Sequence, residues 1–168
     1  MLIAFGGLPA SGKSTIAALL AEHLGATYLR IDTIEQALRE GLNCEAGERE
    51  IGPAGYLVAY ALAETNLRLG RQVVVDSVNP LRITRAAYAA AAARAGRPVL
   101  QVECVCTDPA EHRRRVETRS ADISGLLLPD WQAVTGRQYE PWPEADLVLD
   151  TARLSPAEAV ARVLAAMP

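Results

Sequence analysis

GGLPASGKST, residues 6–15, contains the spacing G-x-x-x-x-G-K-[ST] between Gly7 and Ser14. A short apolar run, LIAFG at 2–6, precedes it, and apolar residues at helical spacing follow it over 13–24. Strand, glycine-rich turn and helix together form a phosphate-binding loop, because the backbone N–H groups of the turn and the positive end of the helix dipole attract phosphate oxygens. The motif therefore predicts nucleotide binding.

Eight residues of this stretch are expected to contact the nucleotide: Gly7, Pro9, Ala10, Ser11, Gly12, Lys13, Ser14 and Thr15. Lys13 is expected to reach the β- and γ-phosphates of ATP, and the Ser14 hydroxyl to ligate Mg²⁺. Lys13 is the only lysine in the chain, and all its other basic residues are arginine. A compact ammonium fits between two phosphates where a planar guanidinium does not, which argues against an incidental glycine-rich turn.

Two carboxylates follow strands of the predicted sheet. Asp76 comes at the end of the valine run at 71–77 and is expected to hold Mg²⁺ directly or through water. Asp32 follows the strand predicted at 27–31 and is the candidate general base for an acceptor hydroxyl. Each has a structural alternative: Asp76 could act only as a turn former, and Asp32 could be the N-cap of a capping box completed by Glu35.

Arg115 and Arg119 lie one helical turn apart in EHRRRVETRS, residues 111–120, and are expected to face the same target. There, at least one of them would stabilise the transferred phosphoryl group. The alternative is a solvated helix face carrying ordinary i,i+4 pairs, such as Glu111 with Arg115. The stretch 119–130 lacks strong periodicity, and we expect it to be a short lid that excludes water.

Predicted strands and helices alternate along the whole chain, which indicates one α/β domain over 1–168 with helices on both faces of a parallel sheet. The strands are predicted at 2–6, 27–31, 71–77, 98–106 and 145–150. The helices are predicted at 13–24, 34–41, 56–69 and 81–95, with two more beginning at Asp108 and Ser155. The segment 42–55, rich in Gly and Glu, is expected to be a loop or a broken helix.

The composition limits the classes of function. No apolar run approaches the roughly 20 residues of a membrane-spanning helix, and the N-terminus lacks the basic region of a signal peptide. We therefore expect a cytoplasmic protein without a membrane partner. The net charge of −3 makes nucleic acid an unexpected partner, because bulk binding of a polyanion requires a basic face. A GTPase is also excluded, because an N-K-x-D guanine reader needs a second lysine.

The chain resembles a group of P-loop kinases that includes adenylylsulfate kinase, gluconate kinase, chloramphenicol phosphotransferase, zeta-toxin-type kinases and the kinase domain of phage polynucleotide kinase. More narrowly, it is similar to bacterial proteins labelled predicted kinases or AAA-family ATPases. The resemblance covers most of the chain, in GGLPASGKST, RIDTIEQAL, VVVDSVNPLRITR, HRRRVETR and LPDWQAVTGRQYEPWPEADLVLDTA. It implies a five-stranded sheet in the order 2-3-1-4-5, Asp32 in the position of the base, and Arg115 or Arg119 as the lid arginine.

The motifs and the resemblance together predict an enzyme that transfers the γ-phosphate of Mg-ATP to the hydroxyl of a small-molecule acceptor. Two alternatives stay open at this point: a polynucleotide 5′-hydroxyl kinase and a non-catalytic ATP-binding regulatory protein. Glu35 disfavours the former, because the polynucleotide kinase pattern has an arginine three residues after the base. Arg82 and Arg85 are the residues that could line a basic track for a nucleic acid.

The acceptor pocket is expected from two parts of the chain. One is the segment 42–60, with Tyr56 and Tyr60, and the other is the lid region around Trp131 and Trp142. Residue types alone do not identify the acceptor.

Overall fold

The computed structural model describes residues 1–42 and 51–168. The strands are β1 (Leu2–Gly6), β2 (Thr27–Arg30), β3 (Val73–Asp76), β4 (Val99–Val105) and β5 (Leu147–Asp150). The helices are α1 (Lys13–Leu24), α2 (Ile31–Gly41), α3 (Ala54–Arg68), α4 (Arg82–Arg94), α5 (Pro109–Thr118), α6 (Trp131–Thr135) and α7 (Pro156–Ala166).

The five strands form one parallel sheet in the order β2-β3-β1-β4-β5, which confirms the predicted topology. β1 lies in the centre, paired with β3 on one side and β4 on the other. β2 and β3 lie on one side of β1, and β4 and β5 lie on the other, so the order of the strands reverses at β1. Open α/β sheets bind ligands at such a switch point, beside the carboxyl ends of the strands.

Both faces of β1 are buried, because its residues alternate between two hydrophobic cores. Ile3 and Phe5 pack on the face covered by α1 and α7, and Leu2 and Ala4 on the face covered by α3 and α4. The result is the predicted arrangement of a sheet between two helical layers. The run at 2–6 is apolar at every position because both faces of this strand are buried.

Helices α5 and α7 begin directly after residues whose side chains cap them. The Asp108 side chain accepts hydrogen bonds from the backbone N–H groups of Ala110 and Glu111. Ser155 and Glu158 form a complete capping box at the start of α7. Both starts agree with the sequence prediction, because a side-chain oxygen there satisfies N–H groups that the helix leaves free.

The start of α2 differs from the prediction. β2 ends at Arg30 and α2 begins at Ile31, three residues before the predicted start. Ile31 is 3% exposed and packs into the core beneath α3 and α4, so the first turn of α2 is anchored by apolar burial instead of by a polar cap. The predicted loop or broken helix at 42–55 lies largely outside the described residues, since 43–50 are not described. α6 was not predicted, because five residues are too few to show helical periodicity.

Among residues 1–42 and 51–168, no helix combines the length and the apolar character needed to cross a membrane.

Arg85 ties together two loops beside β1. Its guanidinium is buried and donates to the carbonyl oxygens of Asn79, Pro80, Glu140 and Pro141 at 2.6–3.1 Å. The same guanidinium carbon lies 5.0 Å from the ring centre of Tyr139 and 4.6 Å from that of Trp142. Trp142 in turn covers Gly6, where an added Cβ would lie 2.5 Å from the indole ring. Arg85 therefore holds the 139–142 segment against the end of β1.

We expect Arg85→Ala to lower the free energy of unfolding by about 3 kcal/mol or more, because it removes a buried guanidinium that donates four hydrogen bonds and packs against Tyr139 and Trp142. Chemical denaturation measures this loss. Arg82→Ala is the matched control: its side chain is 74% exposed and pairs only with Glu144 among the described residues, so its loss is expected to stay below about 1 kcal/mol. Equal losses in the two variants would contradict the structural role of Arg85.

Candidate active site

The glycine-rich loop at 7–12 connects β1 to α1 with two glycines in the left-handed region of φ. Gly7 has φ +138°, and a Cβ at that position would lie 2.2 Å from the carbonyl oxygen of Cys104 on β4. Gly12 has φ +87° and precedes the first residue of α1. Glycine is required at Gly7 for space as well as for conformation, because the loop passes directly against the neighbouring strand.

Two carbonyl groups of this loop are held from outside by the rest of the protein. His112 Nε2, on α5, lies 2.8 Å from the Pro9 oxygen, and the Thr151 hydroxyl donates to the Ser11 oxygen at 2.8 Å. In a planar trans peptide, the C=O of one residue and the N–H of the next point in opposite directions. The N–H groups of Ala10 and Gly12 are therefore directed away from these contacts, and both residues line the adjacent cavity.

His112 and Thr151 were not among the predicted site residues. His112 is a lone histidine on a helix, and Thr151 follows β5, 140 residues beyond its partner. No local pattern marks either residue, because their role comes from the packing of α5 and β5 against the loop.

One cavity of about 790 Å³ lies between the loop, α2 and the segment 119–130. It is lined by Pro9, Ala10, Gly12, Lys13, Ser14, Thr15, Arg30, Asp32, Glu35, Gln36, Arg39, Glu40, Val78, Arg115, Arg119, Ser120, Asp122, Arg137 and residues 125–129. The structure thus brings the predicted residues Lys13, Ser14, Asp32, Arg115 and Arg119 to one cavity. Its volume falls within the usual range for small-ligand sites.

Three predicted site residues do not line the cavity. Gly7 and Ser11 are buried within the loop, and Asp76 is 2% exposed at the end of β3. Their part in binding would be to shape the loop or, for Asp76, to reach a bound cation from below.

Lys13 is the first residue of α1 and is 7% exposed. Its ammonium contacts the Leu8 carbonyl oxygen at 3.5 Å, the upper limit for a hydrogen bond. No carboxylate pairs with Lys13 among the described residues. Its charge is therefore available to an anion in the cavity.

The surroundings of Asp76 fit a magnesium ligand. Oδ2 accepts a hydrogen bond from the Tyr28 hydroxyl at 2.9 Å and lies 3.7 Å from Nε of Arg30. Oδ1 is buried and has no hydrogen-bond partner among the described residues. An unpartnered buried carboxylate oxygen is costly, and Mg²⁺ takes oxygen ligands such as this carboxylate and the Ser14 hydroxyl.

Asp32 is the second residue of α2, and its side chain is 46% exposed. The N-cap of this helix is Arg30, without a side-chain cap, so the structure contradicts the alternative in which Asp32 caps the helix. Asp32 Oδ2 lies 4.0 Å from an Arg30 nitrogen. Glu35, one turn further along, pairs with Arg39 at 3.6 Å, and burial raises the pKa of the Glu35 carboxyl.

The segment 119–130, here called the lid segment, forms neither helix nor strand and lies against α2. Asp122 accepts two hydrogen bonds from the Arg30 guanidinium, at 2.5 and 3.0 Å, and these bonds lower the pKa of the Asp122 carboxyl. A Cβ at Gly125 would lie 2.7 Å from the Gln36 side-chain nitrogen. The lid segment therefore lies over the α2 side of the cavity.

Arg115 and Arg119 differ, contrary to the expectation that they share one helix face. The Arg115 guanidinium donates to Glu111 and, twice, to Thr151. Arg119 is past the end of α5 with an extended backbone, and its Nε and Nη2 are buried without a hydrogen-bond partner among the described residues. Burial lowers the pKa of the Arg119 guanidinium, with Asp32 opposing that effect. Arg115 thus supports the loop through Thr151, whereas Arg119 has nitrogens free for a ligand.

The expected contributions of four aromatic residues to the pocket are not observed. Tyr56 and Tyr60 pack together and with Tyr88, beside the core under α3 and α4. Trp131 packs against His112, and Trp142 covers Gly6. These aromatic side chains pack between helices and strands. The prediction that they line the acceptor pocket was therefore wrong for the cavity described here.

The suggested basic track is also absent from the described residues. Arg85 is buried in the loop contacts described above, and Arg82 pairs with Glu144 at 3.1 Å. Neither residue lines the cavity.

We expect Gly7→Ala to abolish ADP binding, because the new methyl group and the β4 carbonyl cannot both keep their positions. Isothermal titration calorimetry measures the affinity. Gly25→Ala is the control, since Gly25 also has a positive φ, of 58°, but an added Cβ there meets nothing within 4 Å. It is expected to lose about 1 kcal/mol of stability and to keep its affinity for ADP. Unchanged binding in Gly7→Ala would contradict the loop geometry.

Several solved structures share the fold over nearly the full chain. A kinase-like protein from Chloroflexus aurantiacus is 22% identical, with a TM-score of 0.76 and coverage of 99% of this chain and 98% of that one. The APS kinase CysC of Mycobacterium tuberculosis, in complex with AMPPNP and APS, is 24% identical, with a TM-score of 0.64 and coverage of 98% and 95%. Chaetomium thermophilum Kti12, in complex with ADP-AlF3, is 21% identical, with a TM-score of 0.70 and full coverage of both chains.

No curated protein is significantly similar to this chain. The model of the AAA domain family matches residues 2–134. This range contains the glycine-rich loop, Asp32, Asp76, Arg115 and Arg119. The chain therefore belongs to the AAA domain family, and its fold is that of the P-loop kinases.

Proposed function

We propose that this protein transfers the γ-phosphate of Mg-ATP to a hydroxyl group of a small-molecule acceptor. The observation that carries the proposal is one cavity that joins Lys13, the Asp32 carboxylate and Arg119. Phosphoryl transfer to a hydroxyl requires a phosphate-binding cation, a carboxylate that accepts the hydroxyl proton, and positive charge for the transferred group. The three side chains supply these functions in that order.

The loop side of the cavity suits the triphosphate. The N–H groups of Ala10 and Gly12 and the ammonium of Lys13 would bind phosphate oxygens. Mg²⁺ held by Ser14 and Asp76 would neutralise charge on the β- and γ-phosphate oxygens. The neighbours solved with AMPPNP and with ADP-AlF3 support a bound adenine nucleotide.

Asp32 lies on the α2 side of the cavity, opposite the loop, where an acceptor would bind. As the acceptor oxygen forms its bond to the γ-phosphorus, the bond from that phosphorus to the β,γ-bridging oxygen breaks, and its electrons leave with ADP. The hydroxyl proton passes to the Asp32 carboxylate. This transfer comes late in a loose transition state, so the main task of Asp32 is to orient the hydroxyl.

Arg119 is the better candidate of the two arginines for stabilising the transferred group. Its buried, unpartnered nitrogens would donate hydrogen bonds to phosphoryl oxygens, whereas Arg115 would have to give up its bonds to Glu111 and Thr151. A positive group already in place costs no reorganisation during the reaction.

A small acceptor fits the enclosed shape of the site. The pair of Arg30 with Asp122 holds the lid segment over the α2 side of the cavity. A polynucleotide would need a basic track that continues outside the cavity, and neither Arg82 nor Arg85 supplies one.

The direct test is release of ADP by the purified protein with Mg-ATP and a panel of acceptors: nucleosides, nucleotides, adenylylsulfate, sugars, aminoalcohol antibiotics and 5′-hydroxyl oligonucleotides. Lys13→Ala serves as the blank. Stimulation by one acceptor class supports the kinase and identifies its substrate. Silence across the panel with normal ATP binding would favour a nucleotide-binding protein without transfer activity.

We expect Asp32→Asn to lower the rate of transfer by about 100-fold or more while ADP affinity stays unchanged, because the amide cannot accept the hydroxyl proton. Acceptor-dependent ADP release and calorimetry measure the two quantities. Glu117→Gln, which removes a carboxylate of α5 outside the cavity, is the control and should keep the wild-type rate. A wild-type rate in Asp32→Asn would rule out Asp32 as the base.

We expect Arg119→Ala to lower kcat by about 100-fold or more with little change in ADP affinity, because its charge matters most in the transition state. Arg115→Ala should instead weaken ADP binding and lower the Tm, since Thr151 and the loop lose a support. Steady-state kinetics and thermal denaturation separate the two patterns. If Arg115→Ala lowered kcat and Arg119→Ala instead weakened ADP binding and lowered the Tm, Arg115 would be the lid arginine.

A further inference from the structure

The two oxygens of the Asp76 carboxylate have different surroundings. Oδ2 accepts a hydrogen bond from the Tyr28 hydroxyl at 2.9 Å, and Oδ1 has no hydrogen-bond partner among the described residues. Both oxygens belong to a side chain that is 2% exposed. Such a carboxylate can rotate about its last bond unless something holds one oxygen in place.

The pairing of β2 with β3 places Tyr28 for this contact. In the parallel register, Tyr28 lies opposite Val74 and Arg30 opposite Asp76, so the phenol spans two residues towards the carboxyl end of β3. The ring is half-buried and packs against the core covered by α1 and α7.

Arg30 does not replace Tyr28 in this role. Its Nε lies 3.7 Å from Oδ2 and is without a hydrogen-bond partner, which makes the contact an ion pair and not a hydrogen bond. Its other two nitrogens donate to Asp122 of the lid segment. Among the described residues, Tyr28 is thus the side chain that fixes the orientation of the Asp76 carboxylate.

We propose that Tyr28 is a positioning residue for Mg²⁺: its hydrogen bond to Oδ2 fixes the Asp76 carboxylate and leaves Oδ1 as the oxygen that faces the cation. The proposal rests on the nucleotide- and metal-binding half of the proposed function and not on the acceptor. Groups that orient metal ligands from behind are commonly needed for full metal affinity, and their loss costs roughly 10- to 100-fold.

The test is the Mg²⁺ dependence of nucleotide binding in Tyr28→Phe, which keeps the ring and removes the hydroxyl. Binding of a fluorescent ADP analogue is titrated with Mg²⁺, and free Mn²⁺ is followed by electron paramagnetic resonance in the presence of ADP. We expect the variant to need about tenfold more of either metal, with metal-free ADP binding unchanged. Neither readout depends on turnover.

Tyr60→Phe is the matched control, because it removes another half-buried hydroxyl, one that donates to the Thr84 carbonyl oxygen at 3.2 Å. It should show the wild-type metal dependence, and comparison of the two Tm values separates a general loss of stability from a metal effect. Wild-type metal dependence in Tyr28→Phe, or an equal shift in Tyr60→Phe, would overturn the proposal.

Asp76→Asn distinguishes failure of this inference from failure of the proposed metal site. If Asp76→Asn weakens metal binding and Tyr28→Phe does not, Asp76 binds the cation without help from Tyr28, and only the inference is wrong. If Asp76→Asn leaves metal binding unchanged, Asp76 is not a magnesium ligand, and both the inference and that part of the proposed function fail.

Discussion

The direction of two peptide groups in the glycine-rich loop determines what the rest of the site can bind. The carbonyl oxygens of Pro9 and Ser11 are held by His112 and Thr151, so the N–H groups that follow them are presented together on the other side. One of these contacts comes from α5 and the other from the segment after β5. The proposed anion site, made of backbone atoms, is therefore maintained by side chains from distant parts of the chain, and the sheet beneath keeps those parts in register.

Arg30 is the second centre of organisation. One guanidinium lies within 4.0 Å of carboxylates from three elements: Asp76 of β3, Asp32 of α2 and Asp122 of the lid segment. Carboxylates so close to one another repel unless a cation lies among them. Arg30 thus allows the proposed metal ligand and the proposed base to share a small volume, and it connects both to the element that closes the cavity.

The sequence was sufficient for the parts of this protein that depend on local pattern. Strand β1, helix α1 and the strand order followed from apolar runs, glycine spacing and a resemblance, and the capped starts of α5 and α7 followed from side-chain chemistry. Contacts between residues far apart in the chain were not predictable. Arg30 with Asp122, 92 residues away, has no sequence signal, and the same holds for the difference between Arg115 and Arg119. That difference arises because α5 ends at Thr118, just before Arg119.

The contact between Thr151 and the glycine-rich loop means that a shortened fragment of the chain could not keep the loop in its observed shape. The family model matches residues 2–134 and therefore ends before Thr151 and before Trp142, which covers Gly6. A fragment cut at the end of that match would contain every residue of the phosphate-binding motif. It would nevertheless lack the hydroxyl that holds the Ser11 carbonyl and the last strand of the sheet. During synthesis, the glycine-rich loop would gain its final shape only after Thr151, 140 residues beyond Ser11, had left the ribosome.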